Sequence, residues 1–126
     1  KKPIKVYSNF IVLKNSYGYL CYKRNNLSIW KGLYEFPNIS SETELSSPPE
    51  WTKELPFLSL ENLVLDHTTS IKHQLSHRTI FAKFWVYQNM ESNIVAEKKH
   101  LWLNDTQLSE KGVPQLIKKF IVQNKT

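Results

Sequence analysis

Ile80-Phe81-Ala82-Lys83-Phe84-Trp85-Val86-Tyr87 is the stretch from which the fold is read. Successive side chains of a strand point to opposite faces, so Ile80, Ala82, Phe84 and Val86 share one side and Phe81, Lys83, Trp85 and Tyr87 the other. Upstream, Leu63 to Ile71 is β-prone through Val64, Leu65, Thr68, Thr69 and Ile71. Further back, Lys5 to Leu13 is rich in β-formers, and the turn residues Lys14 to Gly18 lead into Tyr19-Leu20-Cys21-Tyr22, which predicts an antiparallel pair. Downstream, Leu101-Trp102-Leu103 is a short strand, and Val113, Leu116, Ile117, Phe120 and Ile121 recur at helical spacing. Pro114 suits the first turn of that helix, and Lys118 and Lys119 fall in its C-terminal half, where the dipole favours cations. Several strands, a C-terminal helix and at most one or two further short helices predict an α+β domain with a mixed or antiparallel sheet.

Between these elements the chain is less regular. Ile29 to Pro37 is a compact aromatic segment, neither helical nor alternating, and reads as an ordered loop. Ser40 to Pro56 holds four Ser and three of the six Pro, which makes it a long polar connection with at most a short helix near Pro49 to Glu54.

At 126 residues the chain has the length of one domain, so residues 1–126 are expected to share a single core. A hydrophobic content of 40% with 13% aromatics excludes intrinsic disorder. The apolar runs are strand-sized, so no membrane span is expected, and Lys1 to Asn9 lacks the features of a signal peptide. Cys21 is alone, which rules out an internal disulfide or a thiolate metal set and points to an intracellular, cytoplasmic setting. The net charge of +6 is uneven. Ser40 to Asp66 carries six acids against Lys53, a balance of −5 that leaves +11 on the remainder. A basic remainder attracts polyanions such as nucleic acid, although many lysine-rich surfaces are only solvated.

Motifs for catalysis are sparse. His73 and His77 have an i, i+4 spacing, but the β-prone residues around them keep the two rings from stacking on a helix face, and no Glu lies between them. Ser76 lacks a nucleophile elbow, the acids gather in the polar connection, and Gly18, Gly32 and Gly112 are isolated, so no phosphate-cradling loop forms.

Two segments carry more information: Ile29-Trp30-Lys31-Gly32-Leu33-Tyr34-Glu35-Phe36-Pro37-Asn38 and His73-Gln74-Leu75-Ser76-His77-Arg78. Together with the strands on either side they resemble the C-terminal domain of MutY-type adenine DNA glycosylases. The first resembles that family's Leu-Trp-Gly-Gly-Leu-Trp-Glu-Phe-Pro signature, with Lys31 and Tyr34 as departures. The second resembles its His-x-Phe-Ser-His loop, with Leu75 at the Phe position. The resemblance implies a Nudix-like fold. It also raises a rival, a Nudix hydrolase of oxidised nucleotides, which needs a helix bearing several carboxylates to hold magnesium. Here Asn38 replaces the expected Gly, and Ile39 to Pro49 contains no Arg and ends in two prolines.

The resemblance further implies DNA repair. The intact relatives remove adenine paired with 8-oxoguanine, using an N-terminal catalytic domain with a 4Fe-4S cluster. This chain has one Cys where the cluster needs four, so it is expected to be a non-catalytic recognition domain, with no cofactor of its own, from a longer protein. Its expected partners are double-stranded DNA holding 8-oxoguanine:adenine and the catalytic domain of the same protein. The carried-over lesion site is Leu75 as an apolar wedge, Ser76 as the reader, His77 and Arg78 as orienting or phosphate-contacting groups, and Lys72 on the backbone. Lys83, Lys31 and Arg24 are further candidates for phosphate contact, whereas Trp30, Leu33, Tyr34 and Phe36 read as core that fixes the loop. A third class is a protein-interaction domain that uses the acidic segment.

Overall fold

The computed structural model describes residues 2–23, 34–50, 63–88 and 100–124. Among these, seven strands form one mixed sheet and two helices follow: β1 (Ile4–Asn15), β2 (Gly18–Lys23), β3 (Tyr34–Glu35), β4 (Asn38–Ser41), β5 (Val64–Gln74), β6 (Arg78–Gln88), β7 (His100–Leu103), α1 (Asp105–Lys111) and α2 (Gln115–Asn124). The principal order is β3-β2-β1-β6-β5, with β4 beside β1 and β7 beside β2. β1 and β6 run parallel from Ile4↔Arg78 to Leu13↔Tyr87, and the other pairings are antiparallel.

The alternation in β6 sorts two cores. Ile80, Ala82, Phe84 and Val86 join Phe10, Val12, Phe36, Leu116, Ile117 and Phe120 under the helices. Trp85 and Tyr87 join Ile11, Leu13 and Leu20 on the opposite face. Phe84 stacks on Phe120 at 4.4 Å between ring centroids and on Phe10 at 4.7 Å, while Phe36 meets the edge of Phe120 at 5.5 Å. These rings hold α2 against the sheet, and removing one of them costs about 3 to 5 kcal/mol.

The β1 to β2 turn is built from Asn15 and Gly18. The Asn15 side-chain oxygen accepts from the backbone N–H of Tyr17 at 2.8 Å and of Gly18 at 3.2 Å. Gly18 has φ +132°, and a Cβ there would lie 2.2 Å from the Leu103 carbonyl oxygen, so only glycine lets β7 approach β2.

Several expectations need correction. The connection expected to begin at Ser40 starts later, because Asn38–Ser41 is a strand against β1. Asn9 holds it there, donating from Nδ2 to the Ile39 carbonyl at 3.1 Å and to Ser41 Oγ at 3.0 Å, and its Oδ1 accepts from Trp85 Nε1 at 3.1 Å. The Ile29 to Pro37 loop contains a strand, Tyr34–Glu35, paired with β2, and residues 29–33 lie outside the described part. Pro49 and Glu50 are not helical, and the rest of the helix expected near them falls outside the described residues.

α2 starts one residue after Pro114, whose carbonyl accepts from the N–H groups of Ile117 and Lys118, and it runs on to Asn124. Lys118 and Lys119 therefore sit in its first half, away from the last turn where the dipole would favour them. The additional helix is α1, set by a capping box in which Asn104 accepts from the Gln107 N–H and Gln107 accepts from the Asn104 N–H.

Candidate functional site

The segment expected to read the lesion is the tip of the β5 and β6 hairpin. The resemblance implies a loop over His73 to Arg78, but His73 and Gln74 belong to β5 and Arg78 opens β6, which leaves Leu75, Ser76 and His77 between the strands. Pairing runs up to Gln74↔Thr79, and the Leu75 N–H donates to the Arg78 carbonyl at 2.7 Å, so the tip is tight. Leu75, Ser76, His77 and Arg78 are all exposed, Leu75 at 37%. Among the described residues no side-chain partner holds the Ser76 hydroxyl. A hydroxyl offers one donor and two acceptor positions, so Ser76 presents both functions to solvent in the turn between β5 and β6.

Lys72, expected on the DNA backbone, and Arg78, expected to orient the loop or meet phosphate, fall on opposite faces of the sheet. The Lys72 ammonium lies 5.9 Å over the Phe81 ring, and Phe81 stacks on Tyr7 at 5.3 Å. Arg78 follows the alternation of Ile80 and Ala82 and belongs to the opposite, helix-bearing face. The turn is the edge at which the two faces meet. On the Lys72 face, Tyr7, Ser70, Phe81 and Lys83 line a shallow cavity of about 190 Å³. Lys83 is occupied there: it donates to the Leu45 carbonyl at 2.8 Å and lies 4.5 Å from the Trp85 ring centroid. It is therefore a clasp for residues 41–45 more than a free phosphate contact. Lys31, Arg24, Trp30 and Leu33 lie outside the described residues, while Phe36 is fully buried and Tyr34 half-buried, as core residues.

On the helix-bearing face, His73 and Lys119 meet across β5 and α2, with Nδ1 of His73 2.9 Å from the ammonium. Burial, then the Lys119 charge, pushes the His73 pKa below the ordinary 6.5, and the neutral ring accepts a hydrogen bond from the ammonium. His67, next to a β-bulge in β5, contacts Asp66 through Nδ1 and Asn124 through Nε2 at 2.8 Å. Its pKa is raised, chiefly by the hydrogen bond to Asp66. These contacts tie the middle and the C-terminal end of α2 to β5, the strand that leads into the tip.

Among the described residues the carboxylates do not assemble into a metal site. Glu42, Glu44 and Glu50 are exposed on a stretch with no helix from 42 to 50, and among the described residues no three His, Cys, Asp or Glu side chains converge to hold an ion. Glu35 is buried and accepts from the Tyr22 hydroxyl at 2.7 Å. The described residues do not fit the magnesium of a diphosphate hydrolase. Burial drives the Cys21 thiol far above its usual range, so it behaves as an apolar core group.

Sequence reasoning missed Tyr7 and Ile4. Tyr7 joins Phe81 only through the parallel register of β1 and β6, a long-range pairing without a local signal. Ile4 is beside Arg78 for the same reason.

The family model that matches is described as NUDIX domain and covers residues 9–123. The adenine DNA glycosylase of Buchnera aphidicola subsp. Baizongia pistaciae (strain Bp) is 28% identical over 120 residues, covering 94% of this chain and 30% of that protein. The chain thus spans about a third of the curated relative's length. Among solved structures, the MutT protein from Methanosarcina mazei Go1 superposes with a TM-score of 0.68 at 13% identity, covering 100% of this chain and 99% of that one. The C-terminal domain of mouse MUTYH, solved in complex with human PCNA, gives 0.63 at 20% identity, covering 93% and 85%. No helix among the described residues is long and apolar enough to cross a membrane.

Proposed function

The chain belongs to the NUDIX domain family, and from that premise we propose that it is the lesion-recognition domain of an adenine DNA glycosylase, reading 8-oxoguanine opposite adenine. The observation that carries the proposal is the similarity to an adenine DNA glycosylase along 94% of the chain, in a protein whose hairpin tip exposes Leu75, Ser76, His77 and Arg78 together. Likeness to MutT supports the fold and not a hydrolase, because the carboxylates needed for magnesium do not converge among the described residues.

The chemistry follows from the lesion. Oxidation at C8 turns the N7 acceptor of guanine into an N–H donor and adds a carbonyl oxygen, so a reader needs an acceptor and a donor side by side. The Ser76 hydroxyl accepts from N7–H, and a backbone N–H of the turn donates to the new oxygen. Leu75 presses on the base stack as a wedge. His77 and Arg78 meet phosphate on one flank of the tip and Lys72 on the other, positioning the duplex without reading its sequence. The excision itself belongs to a separate catalytic domain of the same protein, which holds the 4Fe-4S cluster. This domain needs no cofactor and works on DNA inside the cell.

The test is Ser76→Ala, with folding checked by circular dichroism, in the glycosylase that contains this chain. Adenine removal opposite 8-oxoguanine is compared with removal opposite guanine. Discrimination should fall by about 1 to 3 kcal/mol, the range of a specific base contact. Full retention of the preference would remove Ser76 as the reader.

A further inference from the structure

Ser76 has no side-chain tether among the described residues, yet a reader must be placed to within a fraction of an ångström. Two backbone hydrogen bonds enclose it. One closes the hairpin, from the Leu75 N–H to the Arg78 carbonyl at 2.7 Å. The other comes from outside the hairpin: the Ile4 N–H donates to the His77 carbonyl at 3.1 Å. Ile4 is the first residue of β1 and pairs with Arg78, so a third strand reaches the tip of the other two. Pro3, just upstream, has no N–H that could substitute.

We infer that Ile4 is a positioning residue for the recognition turn: its N–H pins the His77 carbonyl and so fixes the His77–Arg78 peptide plane, which with the closing bond at Leu75 limits how far the chain through Ser76 can turn. The inference rests on the proposed reading of the lesion by Ser76. A hairpin tip held only by its own closing bond can swing about the strand ends. A bond from a parallel neighbour removes that freedom, because β1 is itself locked to β6 over ten register pairs, Ile4↔Arg78 to Leu13↔Tyr87. The Ile4 side chain is 66% exposed, so the residue makes little core and its backbone contact is the feature to isolate.

The experiment deletes the donor alone. The chain is prepared with an ester in place of the Pro3 to Ile4 amide, alongside Ile4→Pro and Ile4→Val. Affinity is measured by fluorescence anisotropy for duplexes with 8-oxoguanine:adenine and guanine:adenine at several salt concentrations, and amide exchange is followed at Leu75. The ester chain and Ile4→Pro should lose about tenfold in lesion preference, the scale of one well-placed base contact, with an unchanged salt slope and faster exchange at Leu75. Ile4→Val, which keeps the donor, should retain the preference. If Ile4→Pro does not fold, the ester chain decides. A folded ester chain with full preference and unaltered Leu75 exchange overturns the inference. Should the unmodified chain show no preference at all, the lesion reading fails separately, and the anchor is judged by exchange: faster at Leu75 in the ester chain supports it, unchanged refutes it.

Discussion

Lys119 Nζ lies 2.9 Å from Nδ1 of His73, a contact that ties the strand leading into the recognition turn to the first half of α2. It depends on a neutral imidazole, whose pKa is held below 6.5. A base with a lowered folded pKa contributes stability that is complete above its unfolded value and is lost as pH falls through the folded one. His67 behaves oppositely. Its raised folded pKa gives stability that is complete below 6.5 and is lost as pH rises through the folded value.

In chemical denaturation followed across pH, His73→Gln should therefore flatten the loss of stability on the acid side of 6.5, and His67→Gln the loss on the alkaline side. Both rings are partly solvated, so each effect is small. A His73→Gln profile that parallels the parent below pH 6.5 would contradict the assignment.

Gly18→Ala should destabilise the fold with no DNA chemistry involved. Its φ of +132° strains any residue with a Cβ by about 1 to 3 kcal/mol, and the 2.2 Å approach to the Leu103 oxygen adds to this by pushing β7 away. Thermal unfolding should shift down by several degrees, and an unchanged midpoint would mean that β2 and β7 are not so closely paired.

What could be read from the sequence followed local period. β6 was legible because each of its faces enters a separate core, so both halves of the alternation are apolar. β4 was not, since Asn38-Ile39-Ser40-Ser41 is polar and becomes a strand only when Asn9, far upstream, binds it. α1 buries only Leu108, too little for periodicity to register, although the Asn104 and Gln107 cap was there to be noticed. The same divide applies to the site. The motif marks Leu75-Ser76-His77 as a candidate and the structure puts these residues in one turn, whereas the distribution of Lys72 and Arg78 over two faces depends on where β6 begins.

No nucleotide hydrolysis is expected. With magnesium or manganese and 8-oxo-dGTP, product formation should stay at buffer background, because Glu42, Glu44 and Glu50 are exposed without convergence and Glu35 is buried against Tyr22. Turnover that disappears in the Glu42→Gln, Glu44→Gln double variant would restore the hydrolase reading.

The separation of Lys72 from Arg78 makes a sharper prediction about DNA. Both ammonium and guanidinium are exposed, and the turn lies between them, so a duplex seated on the tip meets one phosphate on each flank. Each neutralised phosphate contributes about −0.9 to the slope of log affinity against log salt. Lys72→Ala and Arg78→Ala should each make the slope shallower by roughly 0.9, and because the groups share no partner, the double variant should lose the sum. Affinity for lesion and normal duplexes should fall in parallel in the Lys72 variant, since a backbone contact carries no base information. If removal of either residue leaves the slope unchanged while the other accounts for the whole effect, the duplex lies on one face of the sheet and does not straddle the tip.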